Sequence, residues 1–169
     1  MPASPQATAS TFEVEIIEDD GEWPDVAALA TLIDRAALAA VDAADGPVPG
    51  HVSVALSSDA VVTDLNGRFR GKPKPTNVLS FPAGPGSPGG QIGDIILGFE
   101  TVKREAVDQD ISLDHHVQHL VVHGVLHLLG YDHEAKADAE RMEALEIEIL
   151  SKLGIANPYT GELETGTSS

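Results

Sequence analysis

Alternating apolar and polar positions identify four stretches of the chain as strands. Between Phe12 and Ile17 the apolar residues alternate with glutamates, which is the period of a half-buried strand. Three further apolar stretches have the length of strands and are bounded by loop-forming residues; they are His51 to Leu56, Thr76 to Phe81 and Ile92 to Leu97. The pattern therefore predicts a sheet of about four strands, whose order it leaves open.

Apolar residues at helical spacing predict about five helices between and after these strands. The first helix opens at Trp23-Pro24, and the second follows a cap at Ser57 or Ser58 and runs through Phe69. The third helix covers Glu100 to Val107. The fourth runs from a cap at Ser112 or Asp114 to Leu129, and the fifth covers Glu134 to Leu153. We expect a single α+β domain in which the helices pack on a mixed sheet, with an α/β sandwich as the alternative. Residues 1–11 are expected to be a flexible N-terminus, residues 12–158 the domain and residues 159–169 a disordered tail.

The charge of the chain is strongly acidic but unevenly distributed. A net charge of -17 argues against nonspecific binding to nucleic acid, because phosphate backbones favour basic surfaces. Between Gly67 and Gly93, however, there is no Asp or Glu. This window holds four of the ten basic residues, namely Arg68, Arg70, Lys72 and Lys74. A locally positive segment that can bind phosphate therefore interrupts a negative protein, although a solvated basic loop explains the composition equally well.

Two further features of the sequence bear on location. No apolar run approaches the roughly 20 residues that cross a bilayer, so we expect no membrane partner. The first 11 residues lack a positive start and an apolar stretch, so they do not resemble a secretory signal. We expect a cytoplasmic protein.

The histidines in and after the fourth predicted helix indicate a metal site. His123 and His127 are one helical turn apart, so both imidazoles can reach one ion. Gly130 allows the chain to turn after the helix, which lets His133 approach the same ion. With no cysteine in the chain, three histidines and an open fourth position are typical of a catalytic zinc. We therefore expect one zinc ion on a buried helix and the turn that follows it.

The surroundings of these histidines favour a role as metal ligands over a role as ordinary buried or surface residues. The helix is apolar nearly all round, so it is buried, and buried imidazoles need partners that a metal supplies. His119, one turn before His123, is either an ordinary residue or a group that supports a ligand. The spacing is also that of metzincin peptidases, but Gly124 stands where they carry the glutamate base. Close approach of substrate, of a neighbouring strand or of another helix would each explain this glycine.

Several motifs resemble the YbeY family of bacterial endoribonucleases and ribosomal-RNA maturation factors. They occur in the order Leu65-Asn66, Phe69 to Lys72, Pro75 to Pro82, Gly93 to Ile95, and His123 to Glu134. The resemblance extends from about Leu56 to Pro158 and rests on two long motifs in the right order, as motif arguments require. Two positions depart from it, because Phe69 and Asn77 stand where many members have Tyr and Asp. The second change would remove an acid from the cleft.

The resemblance implies a function and the residues that perform it. It implies zinc on His123, His127 and His133, with Arg70 facing the metal cleft as a further catalytic residue. The substrate would be single-stranded RNA, and the process small-subunit ribosomal-RNA maturation and ribosome quality control. Partners would be the small ribosomal subunit or an assembly protein. As a hypothesis for the mechanism, either water activated by the zinc or an RNA hydroxyl lying on it would attack a phosphodiester, and Arg70 would stabilise the growing negative charge.

Other interpretations stay open at this point. A metallopeptidase with an unusual base is one alternative, and a noncatalytic assembly factor with a structural metal is the other. Asp132 would orient a ligand imidazole, move a proton or cap a turn.

Overall fold

The computed structural model describes residues 11–47, 49–84, 90–132 and 135–159. Most of the expected N-terminal extension, the expected tail after Tyr159, and His133 with Glu134 therefore lie outside the described residues. Tyr159 itself, which the sequence pattern assigned to the tail, donates a hydrogen bond to a buried side chain of the domain.

The described strands form one mixed sheet of four, as predicted. They are β1 (Phe12–Glu18), β2 (Gly50–Ser57), β3 (Val78–Pro82) and β4 (Gln91–Gly98), in the order β1-β2-β4-β3. β1 and β4 both run parallel to β2, whereas β3 runs antiparallel to β4 at the edge. The α+β fold is therefore confirmed, and the structure supplies the strand order that the pattern left open.

The described part of the chain contains five helices, also as predicted. They are α1 (Val26–Ala43), α2 (Asp59–Arg70), α3 (Phe99–Gln109), α4 (Leu113–Leu128) and α5 (Lys136–Lys152). Across these described residues, none of them combines the length and apolar character that crossing a membrane requires.

The ends of three helices refine the prediction. Ser58 and Ser112, rather than Ser57 and Asp114, cap α2 and α4 by accepting backbone N–H groups of their first turns. The first helix begins at Val26 and not at Trp23-Pro24, because Asp25 is its cap. Trp23 is buried instead, and its indole N–H donates to the carbonyl of Ser57 at 3.0 Å.

Helix α4 lies at the centre of the fold, packed against the sheet and against α1, α3 and α5. Its residues Val117, Val121 and Val125 are fully buried, which matches its apolar sequence. Gly124 explains how the helix approaches the sheet so closely. A Cβ at this position would lie 3.0 Å from Ile95 Cδ1 in β4 and 3.1 Å from Ser80 Oγ in β3. Of the three explanations for this glycine, approach of the neighbouring strands is therefore the one that the structure supports.

This contact makes a stability prediction. Gly124→Val should lower the free energy of unfolding by about 1–3 kcal/mol, because the added methyl groups meet Ile95 and Ser80. The loss is expected even though valine has the better helix propensity. Urea unfolding would measure it, with Ala144→Val on the exposed face of α5 as the control. A smaller loss at position 124 than at position 144 would contradict the packing argument.

Candidate active site

A cavity of about 260 Å³ lies where α4 meets β3 and the end of α2. Helix α4 contributes its last turn and a half to the lining, β3 contributes much of its length, and α2 contributes its final residue. The lining residues are Arg70, Val78, Leu79, Ser80, Pro82, His123, His127 and Leu128. Three of the residues predicted to be functional therefore share one cavity.

Two of the three predicted metal ligands are neighbours in this cavity. The ring centroids of His123 and His127 lie 4.6 Å apart, with the ring planes at 82°. After them the helix ends, and Gly130 adopts φ +107°, the left-handed conformation that the sequence argument required for a turn. Within the described ranges, which do not include His133, no group of three potential metal ligands is found.

A buried carboxylate orients the first of these histidines. Glu146 of α5 is fully buried, and its Oε2 accepts a hydrogen bond from His123 Nδ1 at 2.6 Å. Its Oε1 accepts from His119 Nε2 at 3.1 Å and from the Tyr159 hydroxyl at 2.6 Å. Burial raises the pKa of Glu146, but the hydrogen bonds from these three groups lower it to about 2. The side chain is therefore an anion, which accepts and never donates.

This hydrogen bond determines which nitrogen of His123 serves a cation. Because Nδ1 donates to Glu146, a metal on this ring would bind through Nε2. Carboxylate partners of this kind are general for metal-binding histidines, since they hold the ring orientation and raise its basicity. The contact between His123 and Glu146 is thus of the kind that would hold the ring of a metal-binding histidine in orientation.

Arg70 brings a positive charge to the lining of the same cavity. Its guanidinium donates to the carbonyl of Ser80 at 2.7 Å and lies 5.4 Å from the centroid of the Phe81 ring. Among the residues that the structure describes, no carboxylate oxygen lies within 4.0 Å of it. The charge of Arg70 is therefore held in place without being neutralised by those residues.

The other three cations of the basic segment, which were expected to bind the phosphates of RNA, lie outside the lining of this cavity. Arg68 pairs with Asp64 along α2 at 3.3 Å, and both side chains are mostly exposed. Lys72 and Lys74 are exposed in the loop that follows α2. The structure thus brings Arg70 to the histidines and leaves the other three cations on the adjacent surface.

Comparison with known proteins identifies the family. The sequence profile of the family described as Endoribonuclease YbeY matches residues 16–154. The endoribonuclease YbeY of Chelativorans sp. (strain BNC1) is 49% identical over 159 residues, covering 91% of this chain and 97% of the relative. This chain belongs to the YbeY family. The resemblance drawn from its motifs is therefore confirmed.

Further relatives support this membership over most of the chain. The endoribonuclease YbeY of Bradyrhizobium sp. is 47% identical over 163 residues, covering 92% of this chain and 95% of the relative. The solution structure of a Thermotoga maritima protein has a TM-score of 0.54 and 25% identity, and the match covers 92% of this chain and 99% of that one. The fold of this YbeY-family chain thus has a counterpart solved by experiment.

Asn77 does not occupy the cleft to which the motif comparison assigned it. Its amide donates to Glu105 of α3 at 2.9 Å, and it lines a separate cavity of about 680 Å³. Glu105 also accepts from His116 Nε2 at 2.8 Å, and burial lowers the pKa of His116 despite this partner. The expectation that asparagine here removes an acid from the metal cleft is wrong, because the side chain faces α3.

Asp132 is not among the described residues that line the histidine cavity. It lines a different cavity of about 310 Å³ together with Tyr131, Asp138 and Arg141. A direct role at the metal therefore gains no support from its position.

Sequence reasoning missed Glu146, although a signal for it exists. On α5 the buried positions are Met142, Glu146, Ile149 and Leu150, so the glutamate falls on the apolar face. A carboxylate on such a face needs partners. His119, for which the sequence left two roles open, shares the Glu146 carboxylate with His123 and so belongs to the same buried hydrogen-bond network.

Removal of this carboxylate should be costly to the fold. We expect Glu146→Ala to lower the free energy of unfolding by about 3–5 kcal/mol, because it leaves the polar groups of His119, His123 and Tyr159 without their shared acceptor. Glu148→Ala on the same helix is the control, since its carboxylate forms only an exposed pair with Lys152. Chemical denaturation of both variants measures the difference. Similar small losses of unfolding free energy in the two variants would show that the hydrogen bonds to Glu146 do not stabilise the fold.

Proposed function

We propose that this protein is a zinc-dependent endoribonuclease that hydrolyses phosphodiester bonds in single-stranded RNA. The observation that carries the proposal is the cavity lined by His123, His127 and Arg70, which combines two imidazoles with a guanidinium that no carboxylate of the described residues neutralises. Membership of a family described as Endoribonuclease YbeY supports the reaction class. By the same resemblance, the substrate would be precursor ribosomal RNA in small-subunit maturation and ribosome quality control, in the cytoplasm.

The residues present fit a zinc ion. His123 and His127 are close enough to share a cation, and the hydrogen bond to Glu146 directs His123 Nε2 to it. His133, which follows the glycine turn, would be the third ligand. When bound, the ion would supply a Lewis acid that activates water for attack on phosphorus.

Arg70 would bind the phosphate under attack. Negative charge grows on the phosphoryl oxygens during the reaction, and a guanidinium that is already in place stabilises it without reorganisation. The bond to the Ser80 carbonyl and the contact with the Phe81 ring hold Arg70 in that position. Lys72 and Lys74, exposed beyond it, would attract the RNA backbone less specifically.

The environment of position 124 argues against a peptidase. The glutamate base of the peptidases with this histidine spacing would have to stand at Gly124. That position faces Ile95 and Ser80 at contact distance, so a longer side chain does not fit without displacing them. The acidic surface elsewhere suggests that the small ribosomal subunit or an assembly protein delivers the RNA.

Two substitutions distinguish the contribution of the metal from the contribution of Arg70 to RNA cleavage. We expect His127→Ala to lose both the zinc and the cleavage of single-stranded RNA. Arg70→Ala should retain the zinc but cleave roughly 100- to 1000-fold more slowly, the usual effect of removing one group that stabilises transition-state charge. His115→Ala is the control, because this histidine is exposed at the start of the same helix and outside the cavity. Metal analysis and a cleavage assay with and without chelator provide the two measurements.

Several outcomes would reject the proposal. Full cleavage by metal-free protein would exclude the zinc-dependent reaction. Digestion of casein with RNA left intact would point to the peptidase. If no variant or condition altered RNA, while Arg70→Ala weakened association with the small subunit and His127→Ala mainly lowered thermal stability, the protein would be a noncatalytic assembly factor.

A further inference from the structure

An apolar groove of about 430 Å³ lies beside Arg70, on the opposite face of the sheet from α4. The two faces follow from the pairing of β2 with β4, in which Val54 and Ile95 turn their side chains to the core while Ala55 and Ile96 turn theirs away. The groove is lined chiefly by Ile17, Leu65, Phe69, Phe81, Ala55 and Ile96. It therefore presents an apolar surface next to the candidate active site that none of the described segments covers.

Phe69 is exposed in a way that the fold does not explain. It is 65% exposed at the end of α2, so it contributes little to the core. Its ring contacts Phe81 edge to face, with the centroids 5.6 Å apart and the planes at 64°. The pair thus forms an aromatic wall that is open to solvent on the Phe69 side.

Arg70 connects this wall to the histidine cavity. Its guanidinium lies 5.4 Å from the Phe81 centroid, and Arg70 also lines the cavity that holds His123 and His127. A phosphate bound by Arg70 would consequently have the histidines on one side and the aromatic wall on the other. In a single strand, the nucleotide attached to that phosphate would lie within reach of the groove.

The charges around the histidine cavity favour an RNA strand that extends toward the apolar groove and not toward the cavity lined by His119. The surface next to the groove carries Arg68, Lys72 and Lys74, which attract phosphates. The other large cavity, beyond His119, is lined by Glu105 and Asp110, which repel them. Asp94 lies within the groove beside Phe81, its partner across the strands, where its carboxylate suits the amino group of a base better than a phosphate.

We propose that Phe69 and Phe81 form a stacking subsite for the nucleobase adjacent to the scissile phosphate, with Arg70 holding the phosphate between this subsite and the histidines. This inference rests on the proposed endoribonuclease function and adds a base-binding contact to it. An aromatic face accepts any base, so the subsite binds single-stranded RNA without reading its sequence.

Substitution of Phe69 tests the subsite directly. Loss of one base–aromatic stack corresponds to roughly a 5- to 150-fold change in affinity. We therefore expect Phe69→Leu to raise the KM for a fluorescent single-stranded RNA about tenfold with little change in kcat, because Phe69 does not touch the reacting atoms. Phe69→Tyr should rescue this loss since it restores the aromatic face. Val107→Ala, which alters another exposed apolar residue on α3, is the control.

A second measurement identifies the stacked base. A series of oligonucleotides, each with one abasic position, is cleaved by the unmodified protein and by Phe69→Leu. One position next to the cleavage site should lower kcat/KM about tenfold for the unmodified protein and much less for the variant. That loss of dependence would assign the base to Phe69.

The outcomes separate this inference from the proposed function. If the unmodified protein cleaves RNA and Phe69→Leu has the same KM, or if leucine and tyrosine behave alike, the subsite is overturned and the nuclease stands. If the unmodified protein cleaves no RNA, the proposed function itself has failed. If Phe69→Leu cleaves normally but sediments less with small ribosomal subunits, the groove contacts the subunit and not the cleaved strand, and the subsite is also overturned.

Discussion

One buried carboxylate connects the parts of this site. Glu146 has no exposed surface, and an anion in that position is tolerated only when hydrogen-bond donors surround it. His119 and His123 supply two of these donors from α4, and Tyr159 supplies a third from the segment after α5. The interaction that satisfies the buried charge is therefore the same one that orients the His123 ring. Stability of the fold and geometry of the candidate metal ligand depend on a single group.

The position of the cavity follows from how α4 is packed. A helix that is apolar on nearly every side is stable only inside the protein, and Gly124 lets it lie directly on β3 and β4. This contact places His123 and His127 next to the edge strand. Helix α2 ends close by at Gly71, whose left-handed conformation (φ +70°) terminates the helix immediately after Arg70. Backbone requirements at two glycines thus help to bring the arginine and the histidines together.

Much of the fold was predictable from the sequence, because periodicity reports directly on burial. Alternation of apolar and polar residues predicted strands β1 and β2, and a long apolar run predicted helix α4. One glycine predicted the turn after α4. The start of α1 was not, because the burial of Trp23 depends on a carbonyl 34 residues away. Glu146 was missed because it lies in a helix rich in acidic residues, where only its register with Met142 and Ile149 distinguishes it. The direction of Asn77 depends on Glu105 of another helix, which a local motif does not contain.

The tautomer of His123 in the zinc-loaded protein tests the central claim most directly. Long-range proton–nitrogen correlation spectra of the histidine rings distinguish a proton on Nδ1 from one on Nε2. The hydrogen bond to Glu146 predicts that His123 carries its proton on Nδ1, with Nε2 unprotonated and shifted by the metal. A His123 ring protonated on Nε2 and bare on Nδ1 would contradict the account, since the buried carboxylate would then not orient this ring toward a cation.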